Sequence, residues 1–265
     1  MANLKGYYYL YVVFILAIAM NHTAMAREPS SRAVKGAYWP SYTGFPASAI
    51  NTSLFTHLYY AFLVPNNVSL WFDISNSTAL TLWNFTSTVS GKNPLAKTLV
   101  SIGGAGADLD TFSQMASKKS WRESFIDSSI EVARKYGFDG IDLDWEFPQN
   151  STDMENLGYL LYEWRAAVQE EAKTTAVVRS YPVDSINRNL DWVNALTYDY
   201  HGSWDTNATG TLAGFVHYSY SGTSWITYDD VKSTTVKIAY VEALGLRGYF
   251  FWAVNDDLDW KIPRI

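Results

Sequence analysis

No cysteine occurs among the 265 residues of this chain, so no disulfide can hold the fold together and no thiol is available for chemistry. The chain also lacks internal repeats, low-complexity tracts and, beyond its amino terminus, any apolar run long enough to span a bilayer. The formal net charge of −6 argues against a nucleic-acid or anionic-membrane partner. A chain without disulfides depends on a large core, and an apolar content of 48% fits that requirement.

The first 26 residues have the organisation of a secretory signal. Lys5 gives a charged start, residues 7–20 are apolar, and Ala24-Met25-Ala26 has the small-x-small pattern of a cleavage site. The apolar run is shorter than the roughly 20 residues that a membrane helix needs, so a cleaved signal is favoured over an anchor. We therefore expect a secreted domain at 27–265, extracellular or vacuolar, with no membrane attachment after cleavage.

Asn-x-Ser/Thr sequons recur six times beyond the predicted signal. One such triplet can arise by chance, but six in a chain that carries a signal predict an N-glycosylated protein. The acceptor asparagines are Asn51, Asn67, Asn76, Asn84, Asn150 and Asn207.

The run FDGIDLDWEFP at 138–148 is the most informative segment. Side chains alternate faces along a strand, so Asp142, Asp144 and Glu146 share one face while the apolar residues between them share the other. Carboxylates spaced at about 7 Å cannot all ionise cheaply, and at least one pKa is raised. A carboxylic acid that stays protonated near neutral pH is what a glycosidase needs as its proton donor.

The acidic residues of this strand could also form a solvated face or a metal site. A solvated strand face usually mixes lysine, threonine and serine with its acids, which this one does not. Clustered carboxylates also suit calcium or magnesium, but the glycine that an EF-hand loop needs is missing and no histidine lies nearby. Catalysis without a metal is therefore favoured.

Apolar strand patterns alternate with helical ones after residue 33. We predict strands at 36–39, 55–64, 97–102, 138–148, 191–199 and 246–254, helices at 75–89, 121–136, 154–173 and 228–244, and a hairpin at 215–228. Such an order implies a parallel sheet with its acids at a strand's carboxyl end, where barrel enzymes carry their sites. A closed α/β barrel and a doubly wound open sheet both fit the alternation.

The pattern Asp-Gly-x-Asp-x-Asp-x-Glu at 139–146 resembles the signature of family 18 glycoside hydrolases, and the longer run resembles the plant class V chitinases. Further segments match in the same chain order: 34–40, 56–62, 101–104, 190–194, 198–202 and 248–252. The resemblance implies a TIM-type (β/α)8 barrel, and so decides against the open sheet. It also implies a retaining enzyme that uses neither metal nor organic cofactor.

The resemblance assigns the acidic strand its roles. Glu146 is the general acid, and Asp144 holds the 2-acetamido group of the substrate, whose carbonyl oxygen attacks the anomeric carbon. Asp142 shares a proton with Asp144, so the acids titrate as a coupled set. Tyr198 is expected to donate a hydrogen bond to the acetamido oxygen.

Five further residues are expected at the substrate. By resemblance, Asp199 helps to hold the acetamido group, and Trp252 forms the hydrophobic floor under that sugar. Tyr38 and Phe62 pack around it, and Gly104 keeps the wall of the cleft low.

The chain departs from the family in two places. The fifth barrel strand is reduced to about 176–178, and the seventh strand is missing together with most of a small α+β insertion, of which a remnant lies near 211–228. We therefore expect an incomplete or irregular barrel. The family's seventh strand supplies a tyrosine and often an arginine to the sugar, and no residue here matches them.

Three functions remain open. The first is a monomeric endo-acting hydrolase of chitin or N-acetylglucosamine oligosaccharides, a ligand class that the aromatic content of 16% also favours. The second is a lectin-like protein that binds such sugars without cutting them, and the third is a variant that does not fold. The intact acid set favours hydrolysis.

Overall fold

A parallel sheet with helices on one face makes up most of the described chain. The computed structural model describes residues 11–14, 33–170, 188–194, 217–221, 224–257 and 259–264. The strands are β1 Tyr11–Phe14, β2 Val34–Pro40, β3 His57–Leu63, β4 Lys97–Gly103, β5 Gly140–Asp144, β6 His217–Ser221, β7 Ser224–Tyr228 and β8 Gly248–Trp252. The helices are α1 Asn76–Lys92, α2 Leu109–Ser117, α3 Lys119–Lys135, α4 Ser151–Glu170 and α5 Val231–Ala243.

The strand order of the main sheet is β1-β8-β2-β3-β4-β5. From β8 to β5 every pair is parallel, and the last strand lies beside β2, with Val34 opposite Gly248. A last strand that pairs with an early one is how a sheet closes into a barrel. The expected α/β barrel class is confirmed.

The barrel is irregular at β5. Within the described chain this strand pairs only with β4, and all of its residues keep partial exposure, whereas six of the seven residues of β4 are buried. The predicted short strand at 176–178 lies outside the described residues. The predicted hairpin is present as β6 and β7, which pair antiparallel from His217 opposite Tyr228 to Ser221 opposite Ser224.

Strand β1 lies within the predicted secretory signal. It pairs antiparallel with β8, and Tyr11 is opposite Trp252. Cleavage after Ala26 would remove this strand and leave β8 with β2 as its partner. Among the described residues, the helices are all too short or too polar to cross a membrane.

Apolar layers cover both faces of the sheet, as expected for parallel strands. Along β3, Leu58 and Tyr60 pack under the helices, whereas Tyr59 and Ala61 face the barrel interior. The interior cluster consists of Val34, Tyr38, Tyr59, Ala61, Leu99 and Phe250. Trp192 packs against this cluster on the interior side of the sheet, whereas Leu190, two residues earlier, packs against the helix-side core.

A buried ion pair joins three of the outer helices. Arg122 of α3 donates from Nε and Nη2 to the two carboxylate oxygens of Glu163 on α4, each at 2.7 Å. Its Nη1 donates to the carbonyl oxygen of Ala116 on α2, also at 2.7 Å. The bidentate geometry fixes how these helices pack outside β4 and β5.

Candidate active site

The carboxyl ends of β2, β5 and β8 border a cavity of about 920 Å³ that extends into the barrel interior. Four of the residues predicted for the substrate site line it: Tyr38, Asp142, Asp144 and Trp252. Residues 189–194, which include Trp192 and Asn194, line it as well.

The acid strand has the two faces that the sequence predicts. Ile141 and Leu143 pack against the helix-side core, and Trp145 stacks on Phe112 with ring centroids 5.8 Å apart. Asp142 and Asp144 therefore point to the interior. Asp139 fixes the start of the strand, because its Oδ2 accepts from the backbone N–H of Thr98 at 2.9 Å.

Glycines allow the end of β4 to come very close to the acid strand. Gly103 has a φ of +120°, and a Cβ on it would lie 2.0 Å from the carbonyl oxygen of Asp144. The next residue, Gly104, donates from its backbone N–H to the same oxygen at 2.9 Å. A side chain at 103 is excluded both by space and by backbone conformation.

Asp142 accepts two hydroxyl hydrogen bonds on a single oxygen. Tyr38 Oη donates to Oδ2 at 3.0 Å and Ser101 Oγ donates to it at 2.6 Å. Burial raises the pKa of Asp142, and these two hydrogen bonds act in the opposite direction. Because both donors stabilise the ionised carboxylate, they favour Asp142 as the charged member of the acid set.

Asp144 carries the proton that Asp142 gives up. Burial, followed by the negative charges of Asp142 and Glu146, raises the pKa of Asp144 to about 8, and it forms a side-chain hydrogen bond with Glu146. It is therefore protonated at neutral pH. Since the three carboxyls interact strongly, they titrate as one coupled system.

A cluster of aromatic rings lies beside the acids and is linked to them through Tyr38. The rings of Phe62 and Trp252 stack with centroids 5.4 Å apart and planes within 18°, and Tyr38 lies 5.6 Å from Trp252. Gly104 lies directly against Phe62. Non-proline cis peptide bonds occur at Ala61–Phe62, Glu146–Phe147 and Trp252–Ala253.

The structure brings together Asp142, Asp144, Glu146, Tyr38, Phe62, Gly104 and Trp252. Of these, Tyr38 was expected to pack around a sugar, and the structure adds that its hydroxyl is a direct partner of Asp142. Tyr198 and Asp199 lie outside the described residues. Among the residues that the structure describes, no group of three histidine, aspartate or glutamate side chains is arranged to hold a metal ion.

Two polar residues of this network were not predicted. Ser101 is a polar residue in the otherwise apolar centre of β4, and this contrast was a usable signal. Asn194 donates from Nδ2 to Tyr38 Oη at 3.0 Å. It follows two apolar residues at the end of its segment, and nothing local indicates which side chain it meets.

Comparison with known proteins gives the same family throughout. Residues 34–216 match the family described as glycosyl hydrolases family 18. The class V chitinase CHIT5b of Medicago truncatula is 35% identical over 335 residues, which covers 86% of this chain and 88% of the relative. Nod factor hydrolase protein 1 of the same plant is 35% identical over 343 residues, covering 88% and 89%. Both alignments exceed 265 residues, so these relatives carry segments that this chain lacks.

Solved structures support the assignment. The class V chitinase of Nicotiana tobaccum superposes with a TM-score of 0.79 at 30% identity, covering 88% of this chain and 97% of that one. The chitinase-like agglutinin RobpsCRA of Robinia pseudoacacia gives a TM-score of 0.78 at 31% identity, covering 88% and 98%. The barrel, the acid strand and these matches agree: the chain belongs to family 18 of the glycoside hydrolases and is a glycosidase of the chitinase type.

Proposed function

We propose that this chain hydrolyses β-1,4 linkages within chitin or N-acetylglucosamine oligosaccharides and retains the anomeric configuration. The observation that carries the proposal is the different environment of Asp142 and Asp144 on the acid strand. Two hydroxyls stabilise the ionised form of Asp142, whereas burial and the charges of Asp142 and Glu146 raise the pKa of Asp144 to about 8. Related chitinases of this family have been crystallised with NAG4 and (GlcNAc)3, which supports the ligand class.

Glu146 acts first as the general acid, after Asp144 passes its proton to Glu146 through the side-chain hydrogen bond between them and is left ionised. It protonates the glycosidic oxygen while the carbonyl oxygen of the substrate's own 2-acetamido group attacks the anomeric carbon. The leaving chain departs, and an oxazolinium ion forms in place of a glycosyl-enzyme. Glu146, now ionised, takes a proton from a water molecule that attacks the same carbon. Two inversions at one centre give net retention.

Asp142 and Asp144 stabilise the charge that develops on the acetamido group. One proton is shared between them, so negative charge is available on Asp144 when the cationic intermediate lies against it. The hydroxyls of Tyr38 and Ser101 are already oriented towards Asp142, so little reorganisation is needed during the reaction.

The stacked rings of Phe62 and Trp252 form the apolar floor for the sugar at the cleavage point. Sugar rings have an apolar face that suits such a surface, and Tyr38 connects these rings to Asp142. Tyr198 and Asp199 complete the proposal as predicted partners of the acetamido group.

A sugar-binding protein that does not hydrolyse is the second candidate. The similarity to an agglutinin of the same fold favours it, as does the lack of residues that match the family's seventh strand. Glu146, at the position of the general acid, favours hydrolysis.

Secretion belongs to the proposal. We expect a plant-cell expression system to export a monomeric glycoprotein that begins at Arg27, because residues 1–26 have the pattern of a cleaved signal. Of the sequons that the structure describes, Asn67, Asn76, Asn84 and Asn150 are exposed. Amino-terminal sequencing and glycopeptide mapping test this, and retention of residues 1–26 in the exported protein would contradict it.

Cleavage of an N-acetylglucosamine hexamer is the test of function. The parent should yield shorter oligosaccharides, Glu146→Gln should yield none while still binding the hexamer in calorimetry, and Glu155→Gln, on the exposed side of α4, should match the parent. Binding without cleavage by the parent would identify the lectin-like alternative. Cleavage by Glu146→Gln at the parental rate would show that another group is the acid.

A further inference from the structure

We propose that Asn194 is a positioning residue that directs the hydroxyl proton of Tyr38 towards Asp142 and thereby keeps the shared acid proton on Asp144. This inference rests on the proposed hydrolytic function. Asn194 touches none of the acids itself, and its influence passes through the phenol of Tyr38.

The hydrogen-bond geometry gives the direction. Asn194 Nδ2 lies 3.0 Å from Tyr38 Oη, and Tyr38 Oη lies 3.0 Å from Asp142 Oδ2. An amide nitrogen can only donate, so it occupies a lone pair of the phenol oxygen. The single phenol proton then points to Asp142, which accepts it as a carboxylate.

The amide is held in this orientation from two sides. Asn194 also lies near Tyr59, where it acts to lower the pKa of that phenol against the effect of burial, and the ring of Tyr59 stacks on that of Tyr38 with centroids 4.4 Å apart. Trp192 Nε1 donates to the same Tyr59 hydroxyl at 3.2 Å. The Oδ1 atom of Asn194 is buried and accepts no hydrogen bond from the described part of the chain. If the amide were turned over, this oxygen would face both phenols and draw the Tyr38 proton away from Asp142.

The electrostatic surroundings make this orientation matter. Among the described residues, the titratable groups that face Asp142 are Tyr38 on β2, Tyr59 on β3 and Asp144 on its own strand, and Glu146 faces Asp144. None of these groups is cationic, so within the described part of the chain the ionised form of Asp142 is stabilised by hydroxyl donors. Among the described cationic side chains, Arg247 lies over the ring of Trp192, Arg165 pairs with Asp191, and Lys97 pairs with Asp139 at the start of the acid strand, so each has a partner other than Asp142.

A double-mutant cycle tests the inference. Asn194→Leu keeps the size of the side chain but removes the donor, so the Tyr38 hydroxyl is free to rotate. We expect kcat on the hexamer to fall about tenfold, as for loss of a hydrogen bond to a charged group, with KM within about twofold because the aromatic floor is untouched. In a plot of kcat against pH, the apparent pKa that reports the acid pair should move to a higher value.

In a Tyr38→Phe background there is no hydroxyl to direct, so adding Asn194→Leu should change kcat by less than about twofold. A loss in that background as large as in the parent would overturn the inference, since it would mean that Asn194 acts only by packing. Should Asn194→Leu fail to fold, Asn194→Asp keeps the shape and reverses the bond, because its carboxylate accepts the Tyr38 proton. It should then lose more activity than Asn194→Leu would, and again only when Tyr38 is present.

An assay without substrate separates this inference from the proposed function. If the parent does not cleave the hexamer, the proposed function fails, but unfolding by urea at several pH values still reports the acid pair. Loss of a donor to Asp142 raises the pKa of the acid pair in the folded state. In Asn194→Leu the free energy of unfolding should therefore continue to fall up to a higher pH than in the parent. Curves of the same shape and midpoint in parent and variant would overturn the positioning role.

Discussion

Gly104 lies so close to the ring of Phe62 that a Cβ on the glycine would stand 2.6 Å from Phe62 Cε2. Its φ of +85° also lies in the region that favours glycine. Phe62 in turn stacks on Trp252. The missing side chain at 104 therefore permits the aromatic floor, which gives this residue a more definite role than the low cleft wall expected from the sequence.

Gly104→Ala should displace the ring of Phe62 and disturb its stack on Trp252. We expect weaker binding of N-acetylglucosamine oligosaccharides and a loss of about 1–3 kcal/mol in the free energy of unfolding, as for an overpacked site. Calorimetric titration and urea unfolding measure the two effects. Gly106→Ala is the matched control, because a Cβ there meets nothing within 4 Å. Equal effects of the two substitutions would contradict the proposed contact.

Asp144 couples the stability of the fold to pH. Its folded-state pKa is raised to about 8, whereas an unfolded aspartate titrates near 4. Between these values the folded state binds more protons, so the free energy of unfolding falls as pH rises, by up to about 1.4 kcal/mol per pH unit. The contribution is fully present below about pH 4 and lost above about pH 8.

Asp144→Asn removes this titration, and we expect a flatter dependence of unfolding free energy on pH across that window. Urea unfolding at each pH measures the slope. Asp259→Asn is the control, since it replaces an exposed carboxyl whose pKa is lowered by its hydrogen bond to Lys261. A slope that stays as steep in Asp144→Asn would show that a different group holds the proton.

Ser101→Ala removes one of the two hydroxyl donors to Asp142. The carboxylate loses the stabilisation of its ionised form, so the pKa of Asp142 rises further and the acid pair is less ready to supply negative charge. We expect kcat to fall about tenfold, with little change in KM. Steady-state kinetics on the hexamer measure this. Ser124→Ala, on the outer surface of α3, should leave the kinetics alone; a parental kcat in Ser101→Ala would argue against the role of this hydroxyl.

Glu163→Gln breaks the buried ion pair of the outer helices and leaves the charge of Arg122 without its counterpart. Removing one partner of such a pair costs about 3 kcal/mol of unfolding free energy. Urea unfolding gives the value. Glu123→Gln breaks the exposed pair with Lys119 on α3 and should change stability only within the error of the measurement.

Strands with a clear local pattern could be predicted from the sequence. The predicted strand at 97–102 is β4, and the predicted helix at 75–89 begins at Asn76, directly after Ser75, whose side chain caps it. These elements depend on the alternation of apolar residues and on capping, both of which are local. For the same reason the faces of the acid strand were correctly predicted.

Helix α2, and the side chains that Ser101 and Asn194 contact, could not be found from local patterns. α2 has nine residues and is separated from α3 by Lys118 alone, so its apolar pattern is too short to stand out. The capping side chain of Asp108 was its main signal. Ser101 meets Asp142 because β4 pairs with β5, and Asn194 meets Tyr38 because the chain from Trp192 to Asn194 reaches the barrel interior; both contacts are decided by tertiary packing.

The pairing of β2 with β8 also determines when the site comes into existence. Residues 34 and 248 are neighbours in the sheet although most of the chain separates them, and contacts so distant in sequence form late and slowly. Until β8 has been synthesised and docked, the edge of β2 is unpaired and the interior aromatics lack Trp252. We therefore expect the growing polypeptide to pass through a stage with an unpaired strand edge, which favours aggregation. On this view the proposed sugar site is completed only when β8 docks.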